Sequence, residues 1–380
     1  MKTYTVTVFI LAVALWPWAA SAAAPDSTAV QRKGLIGKFI SYFDEANKPK
    51  DYKKFDFSVI GGPHYSSDRG FGIGLVAAGL YRTDEADSLL QPSSVALTAD
   101  ATTGNFYDIG IEGLNIFPAD RFRLAYDINF QSFDTDFWGI GYARERSDAN
   151  KSSYKYFKLE ADLSFTAQVA RRLFVGPRIE YAYVNGKHRE NVWLWEGQPH
   201  RTAALGFGAI LSYDTRDYVH NAYSGWYLNL TQMFFLRWYN RGNFSVSEIT
   251  ASHYEPVWKG GVVAALFHGR FTYGATPWAL LSTFGGSDLM RGYYEGRYRD
   301  KCAMVLTVEL RQHVWKRSGA VVWAGAGKIF PNFQELRFNH LLPNFGVGYR
   351  WEFKKRVNVR LDYGIGRHCS SFIFSINEAF

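Results

Sequence analysis

The 380-residue sequence is poor in cysteine and methionine, with 2 Cys and 4 Met. Cys302 and Cys369 alone are available for thiol redox or metal chemistry. They allow at most one disulfide, and only if the two meet in space. Long hydrophobic runs are equally scarce. Beyond the first 22 residues nothing approaches the ~20 apolar residues of a membrane-spanning helix, which excludes a helical membrane protein. No Gly-x-Ser-x-Gly or His-Glu-x-x-His pattern occurs, and His313, His340 and His368 lack partners at ligand spacing. Enzyme chemistry is therefore not expected, nor is a cofactor or a metal. The net charge is +8, but no compact basic run accompanies it, so nucleic acid is not an expected partner. A modest positive balance suits anionic lipid headgroups.

Aromatic residues are what the chain has in excess: 12 Trp, 24 Tyr and 30 Phe, together 17% of the sequence, beside 35 Gly. Flat rings with a polar tip are stable at a membrane–water interface. The opening "MKTYTVTVFILAVALWPWAASAAAPD" has the form of a secretory signal. Lys2 supplies the charge, Val6 to Leu15 the apolar centre, and Ala20-Ser21-Ala22 a small-residue cleavage site. Residues 1–22 are thus expected to be removed. Residues 23–54 form a periplasmic leader with an amphipathic helix near 34–46, where Leu35, Ile36, Phe39, Ile40 and Phe43 recur at helical spacing. Three placements stay open for it: on the inner leaflet, as a plug at the mouth of the fold, or as a short, partly ordered leader.

From residue 55 onward the dominant pattern is alternation. In "FRLAYDINFQ", Phe122, Leu124, Tyr126, Ile128 and Phe130 alternate with Arg123, Ala125, Asp127, Asn129 and Gln131. "MVLTVELR" and "VNVRLDYGIG" do the same. Successive strand side chains point to opposite faces, so each segment has one apolar and one polar face. Sixteen such segments are expected: 55–62, 69–82, 93–103, 106–117, 121–133, 154–168, 171–184, 202–214, 225–239, 243–257, 260–275, 302–313, 318–330, 343–353, 356–366 and 371–380. Many run ten residues or more, longer than sandwich strands. Connections alternate between mostly short ones ("PADR", "ARR", "WKGG", "FKKR") and longer ones (134–153, 185–201, 276–301, 331–342). That asymmetry matches short periplasmic turns and long external loops. The fold class expected is all-β: a 16-stranded antiparallel transmembrane β-barrel over 55–380, with the short amphipathic helix before it. Arg123, Asp127, Glu160, Asp162, Glu309, Arg360 and Asp362 then face the interior.

Four stretches carry a family resemblance. "GGSDLMRGY" resembles the external-loop motif of BamA/TamA-type outer-membrane barrels, the bacterial surface antigen family. "SYDTRDYVHNAYSGWYLNL" is similar to their periplasmic turn and following strand, with Asp214, Arg216 and Asp217 in the turn. "FGVGYRWEFKKRVNVRLDYGIG" and "FIFSINEAF" resemble the closing strands, with Phe372, Phe374 and the final Phe380. The resemblance implies that Arg291, completed by Gly292 and Tyr293, folds into the lumen against acidic wall residues. Glu309 matches one of these. A second acid is expected in a Phe-x-Asp-x-Gly pattern on the next strand, where "WAGAGKIF" places Gly325 instead; this leaves one acid fewer. Family members that assemble barrels or secrete proteins carry POTRA modules, and 23–54 is too short for one, so a barrel-only relative is expected.

Two functions follow. One is an insertion, translocation or biogenesis barrel that works through a weak seam between its first and last strands. Its partners would be outer-membrane lipids, client outer-membrane proteins or a separate periplasmic subunit. The first segment, ending in Gly61-Gly62-Pro63, suits a weak seam, because Pro cannot donate to a strand ladder. The alternative is a passive pore or small-solute transporter, since sixteen strands can enclose an aqueous channel.

Overall fold

A computed structural model of the chain describes residues 56–66, 70–84, 87, 90–219, 221–236, 242–354 and 356–380. The expected signal segment and the 34–46 helix lie outside them. Sixteen of the strands form one antiparallel sheet in sequence order. They are β1 (Asp56–Ser66), β2 (Gly70–Tyr81), β3 (Ser93–Thr102), β4 (Tyr107–Ile116), β5 (Phe122–Phe137), β6 (Ser152–Ala170), β7 (Leu173–Lys187), β8 (Arg201–Asp214), β9 (Gly225–Leu236), β10 (Phe244–Trp258) and β11 (Gly261–Gly274). After them come β14 (Cys302–Trp315), β15 (Ser318–Phe330), β16 (Leu342–Lys354), β17 (Val357–Gly366) and β18 (Cys369–Ile376). Two short strands, β12 (Ser282–Phe284) and β13 (Tyr298–Asp300), form a separate ribbon inside the long connection between β11 and β14.

The alternation converts directly into two faces. On β9, Trp226, Leu228, Leu230, Phe234 and Leu236 are exposed, while Thr231, Met233 and Phe235 are buried inward. On β14, Leu306 and Val308 are exposed, while Thr307, Glu309 and Arg311 are buried. An apolar outer face with a polar inner one is the pattern of a membrane barrel, in which ladder hydrogen bonds satisfy the backbone within the protein. β6 is 19 residues long. At about 3.3 Å per residue it is longer than a tilted strand needs to cross the apolar band, so its loop-side end stands above that band.

Two details differ from the expectation. β1 runs through Gly61, Gly62 and Pro63 to Ser66, with Pro63 opposite Ile73; an edge strand tolerates the missing donor. The last strand stops at Ile376, because Asn377 takes a positive φ of 68° and turns the chain off the sheet. The loop between β11 and β14 folds through its own ribbon. Among the described residues no ladder joins β1 to β18, although their Cα atoms approach within 8 Å.

The outer face carries a direct test. Leu230→Lys, mid-strand and outward, is expected to cost about 2–4 kcal/mol by denaturant unfolding in lipid. Asn229→Lys, one residue away and inward, is expected to change stability little; equal losses would contradict this facing.

Candidate functional site

Long connections meet over one end of the barrel. The 275–301 segment packs Trp278 against Phe137, Tyr154, Val184, Leu194 and Trp195, all buried. The Trp278 indole N–H donates to the Pro199 carbonyl at 3.0 Å. A second cluster holds Phe284, Met290, Tyr293 and Tyr298 against Ala303, Val305, Ile329 and Leu342 of the wall. The short helix α1 (Tyr142–Glu145) docks on the ribbon, where a Glu145 carboxylate oxygen accepts from the Arg299 amide at 2.8 Å. This loop therefore shares two apolar clusters with the wall and its neighbouring connections.

Its tip descends along the inside of the wall. Gly292 has φ +109°, and a Cβ there would lie 2.6 Å from the Gly364 carbonyl carbon. A Cβ on Gly364 would lie 2.3 Å from the Arg291 carbonyl oxygen. Loop and strand thus touch backbone to backbone, an approach that glycine alone permits. Gly366 likewise leaves room for the Tyr293 ring. The Tyr293 hydroxyl donates to the Pro343 carbonyl at 2.7 Å and accepts from the Arg367 amide at 2.8 Å.

This seat places the Arg291 guanidinium between two carboxylates. It donates to Asp362 at 2.7 Å and to Glu309, and the three side chains are 1%, 0% and 0% exposed. It also lies 3.6 Å from the centroid of the Trp323 ring, a cation–π contact. Asn344 bonds both the Arg291 carbonyl and the Trp323 indole. Four consecutive strands, β14 to β17, therefore hold the loop. The second acid comes from β17 as Asp362, so the shortfall expected from Gly325 does not occur. On β15 the contact to Arg291 is made by Trp323, and a Cβ at Gly325 would sit 2.5 Å from the Leu306 carbonyl oxygen.

The pair extends into a ring that the sequence did not reveal. Glu309 also accepts from Arg311 at 2.7 Å, and Asp362 from Arg350 at 2.5 Å. Glu378, beyond the turn at Asn377, closes the circuit: it accepts from Arg350 at 2.8 Å and lies 3.9 Å from Arg311. Asp288 in the loop pairs with Arg360 beside this ring. Phe380 is not on the closing strand. It packs inward against Ala222, Tyr254, Val262 and Ala264, and its carbonyl accepts from Arg311 at 2.8 Å. Phe372 and Phe374 stay on β18 and face outward.

At the short-turn end, buried Asp214 accepts from Arg123 at 2.9 Å and from Arg216 at 2.9 Å. Asp217 pairs with Arg356 of the β16–β17 turn at 2.6 Å, and Arg356 also donates to the Asn221 carbonyl at 2.8 Å. On the other side, the Val219 amide donates to Gln91 of the β2–β3 connection at 3.2 Å. The β8–β9 connection is thus tied to connections near both ends of the sheet. Local charge pairing within the turn was legible in sequence; these distant partners were not.

Cys302 and Cys369 are both free thiols, at the loop-side starts of β14 and β18. Among the described residues no group of three or more His, Cys, Asp or Glu could hold a metal ion.

Comparison with known proteins agrees with this architecture. A family model described as the Omp85 superfamily domain matches residues 107–380. No curated protein matches the chain. Among solved structures, BamA from Haemophilus ducreyi lacking POTRA domains 1–3 is similar at TM-score 0.54 and 13% identity, over 84% of this chain and 70% of that one. CdiB from Acinetobacter baumannii gives a TM-score of 0.55 at 11% identity, over 86% of this chain and 60% of that one. CdiB from Escherichia coli gives 0.54 at 9%, over 85% and 61%. At these identities the likeness is one of fold, and the match spans about three-fifths of the CdiB chains.

The loop and the short helix docked on it also carry buried titratable groups. Burial pushes the Asp300 carboxyl up to about 6, from 3.8, and holds Glu145 well above the usual carboxylate range. A raised carboxyl favours the folded loop below the unfolded value, and that contribution is lost as pH rises through the folded one. Protease resistance of the 275–301 segment is therefore expected to fall between about pH 4 and pH 6–7. Asp300→Asn, which keeps an acceptor for the Lys301 amide, should flatten this change and slow cutting at pH 7; an unaltered pH profile would contradict it.

Proposed function

The chain belongs to the Omp85 superfamily, outer-membrane β-barrels of the bacterial cell, and we propose that it assists insertion or translocation of other proteins through the seam between β1 and β18. The observation that carries this reading is a cavity of about 1300 Å³. Its lining includes the inner-wall carboxyls Asp100, Asp108, Glu112 and Asp127. It also includes Leu75, Phe372 and Phe374, which lie on the outward face of β2 and β18. One space is thus continuous from the lumen to the lipid side, at the place where the sheet has no ladder among the described residues. An unpaired strand edge is a template for another strand, and a client strand is the partner such an edge fits.

In this reading the short-turn end is periplasmic and the 275–301 loop is external. A separate periplasmic subunit would deliver clients, and outer-membrane lipids surround the apolar face. In this reading the sixteen strands of the sheet form the barrel wall, and the proposed role needs no catalytic step or cofactor. The occupied lumen favours this reading over a passive pore. The Arg291 loop narrows one end, while the β8–β9 connection and Phe380 narrow the other.

A cleavable bis-maleimide linker between Val59→Cys and Phe374→Cys, in a chain with both native thiols changed to serine, tests the seam. Proteoliposomes are expected to speed folding of a small reporter barrel. Linking should return the rate to that of empty liposomes, and cleaving the linker should restore it. An unchanged rate in the linked protein sinks the seam. The purified protein is also expected to stay electrically silent in planar bilayers; steady open-channel conductance would support the pore instead.

A further inference from the structure

We infer that the segment after β18 is a latch for the external loop: Glu378 and Arg291 hold one another in place through shared ring partners, so neither leaves its seat independently. This names a regulation of the site proposed above and rests on that reading for its purpose, though not for its geometry. The ring runs Arg291, Glu309, Arg311, Glu378, Arg350, Asp362 and back to Arg291. Glu309 and Glu378 are each shared between two guanidinium groups, Asp362 has Arg360 at 3.8 Å as a third beside the ring, and none of the six ring side chains is more than 8% exposed.

A missing member leaves its ring partners short of counter-charge. If Glu378 departs, Arg350 and Arg311 keep one acid each, and both compete more strongly for the acids that hold Arg291. If Arg291 departs, Glu309 and Asp362 turn fully to Arg311 and Arg350, loosening their hold on Glu378. A buried charge left with too few partners is costly, so each loss is transmitted around the ring. Glu378 is not part of the sheet. Asn377, with its φ of 68°, turns the chain inward immediately after β18, and Asn358 of β17 anchors both the Asn377 amide at 2.7 Å and Glu378 at 2.6 Å. The latch is therefore attached to the strand that borders the seam. Seating of the external loop, on the far side of the membrane, sets how firmly the end of β18 is held.

Linkage requires the effect to be equal in both directions. The test uses the full chain in proteoliposomes with both native thiols changed to serine. Seating of the latch is read as the labelling rate of Ala379→Cys, and seating of the loop as the rate of tryptic cutting after Arg297 or Arg299. Arg291→Gln is expected to raise labelling, and Glu378→Gln to raise cutting, each by at least about fivefold. Adding the second substitution to the first should raise either rate little further. Arg178→Gln removes an inward ion pair with Asp162 outside the ring and should move neither rate, which separates coupling from general loosening. Heat-modified gel mobility verifies that every variant is folded.

The inference is overturned if Arg291→Gln leaves labelling unchanged while cutting rises, if the two substitutions act additively, or if Arg178→Gln has the same effects. None of these readouts involves a client or movement across the seam. The seam can therefore fail its own test while the coupling stands, and the reverse also holds.

Discussion

A guanidinium that is 1% exposed must be surrounded by acceptors or it destabilises whatever holds it there. Arg291 meets that constraint with carboxylates from β14 and β17, the indole face of Trp323 on β15 and the amide of Asn344 on β16. All the fixings lie on one quarter of the wall. The loop consequently leans on the last strands and leaves the space before β1 to β5 open as the cavity. The glycine seat at Gly292 and Gly364 belongs to the same constraint, because a side chain at either position would lift Arg291 away from its acids.

That asymmetry gives the two sides of the seam different characters. β18 is continuous with a chain segment that the ion-pair ring grips, whereas β1 fronts the cavity and pairs only with β2 among the described residues. In hydrocarbon, unpaired backbone donors and acceptors are expensive. In the proposed function, a seam of this kind is tolerable where it faces a partly polar space, and it is useful where another strand can complete it. The ring connects the external loop to that edge through side chains alone.

Much of this was legible from sequence because alternation is a local property. A period of two places Glu309 and Asp362 inward without any knowledge of the neighbours, and the excess of aromatic residues with the absence of long apolar runs excludes the helical alternative. The strand ends were less legible. Gly61-Gly62-Pro63 reads as a terminus but is carried through by pairing with β2, and "NEAF" reads as strand although Asn377 turns it inward. Partners across the lumen were not legible at all. Parity says that Asp362 points inward, but not that it stands opposite Arg291; that depends on the register of three intervening ladders and the depth of the loop. Position 325 misled for the same reason, since a motif fixes a place on a strand rather than the group that finally supplies the charge.

Hydrogen exchange of the 285–301 amides in the Asp362→Asn protein tests the lumen account most directly. With two acids holding Arg291, the unaltered protein is predicted to exchange slowly across this segment and the variant to exchange much faster, while the β14 and β17 ladders stay protected. Equal exchange in the two proteins would mean that Asp362 does not hold the loop, and the account built on its pairing with Arg291 would be wrong.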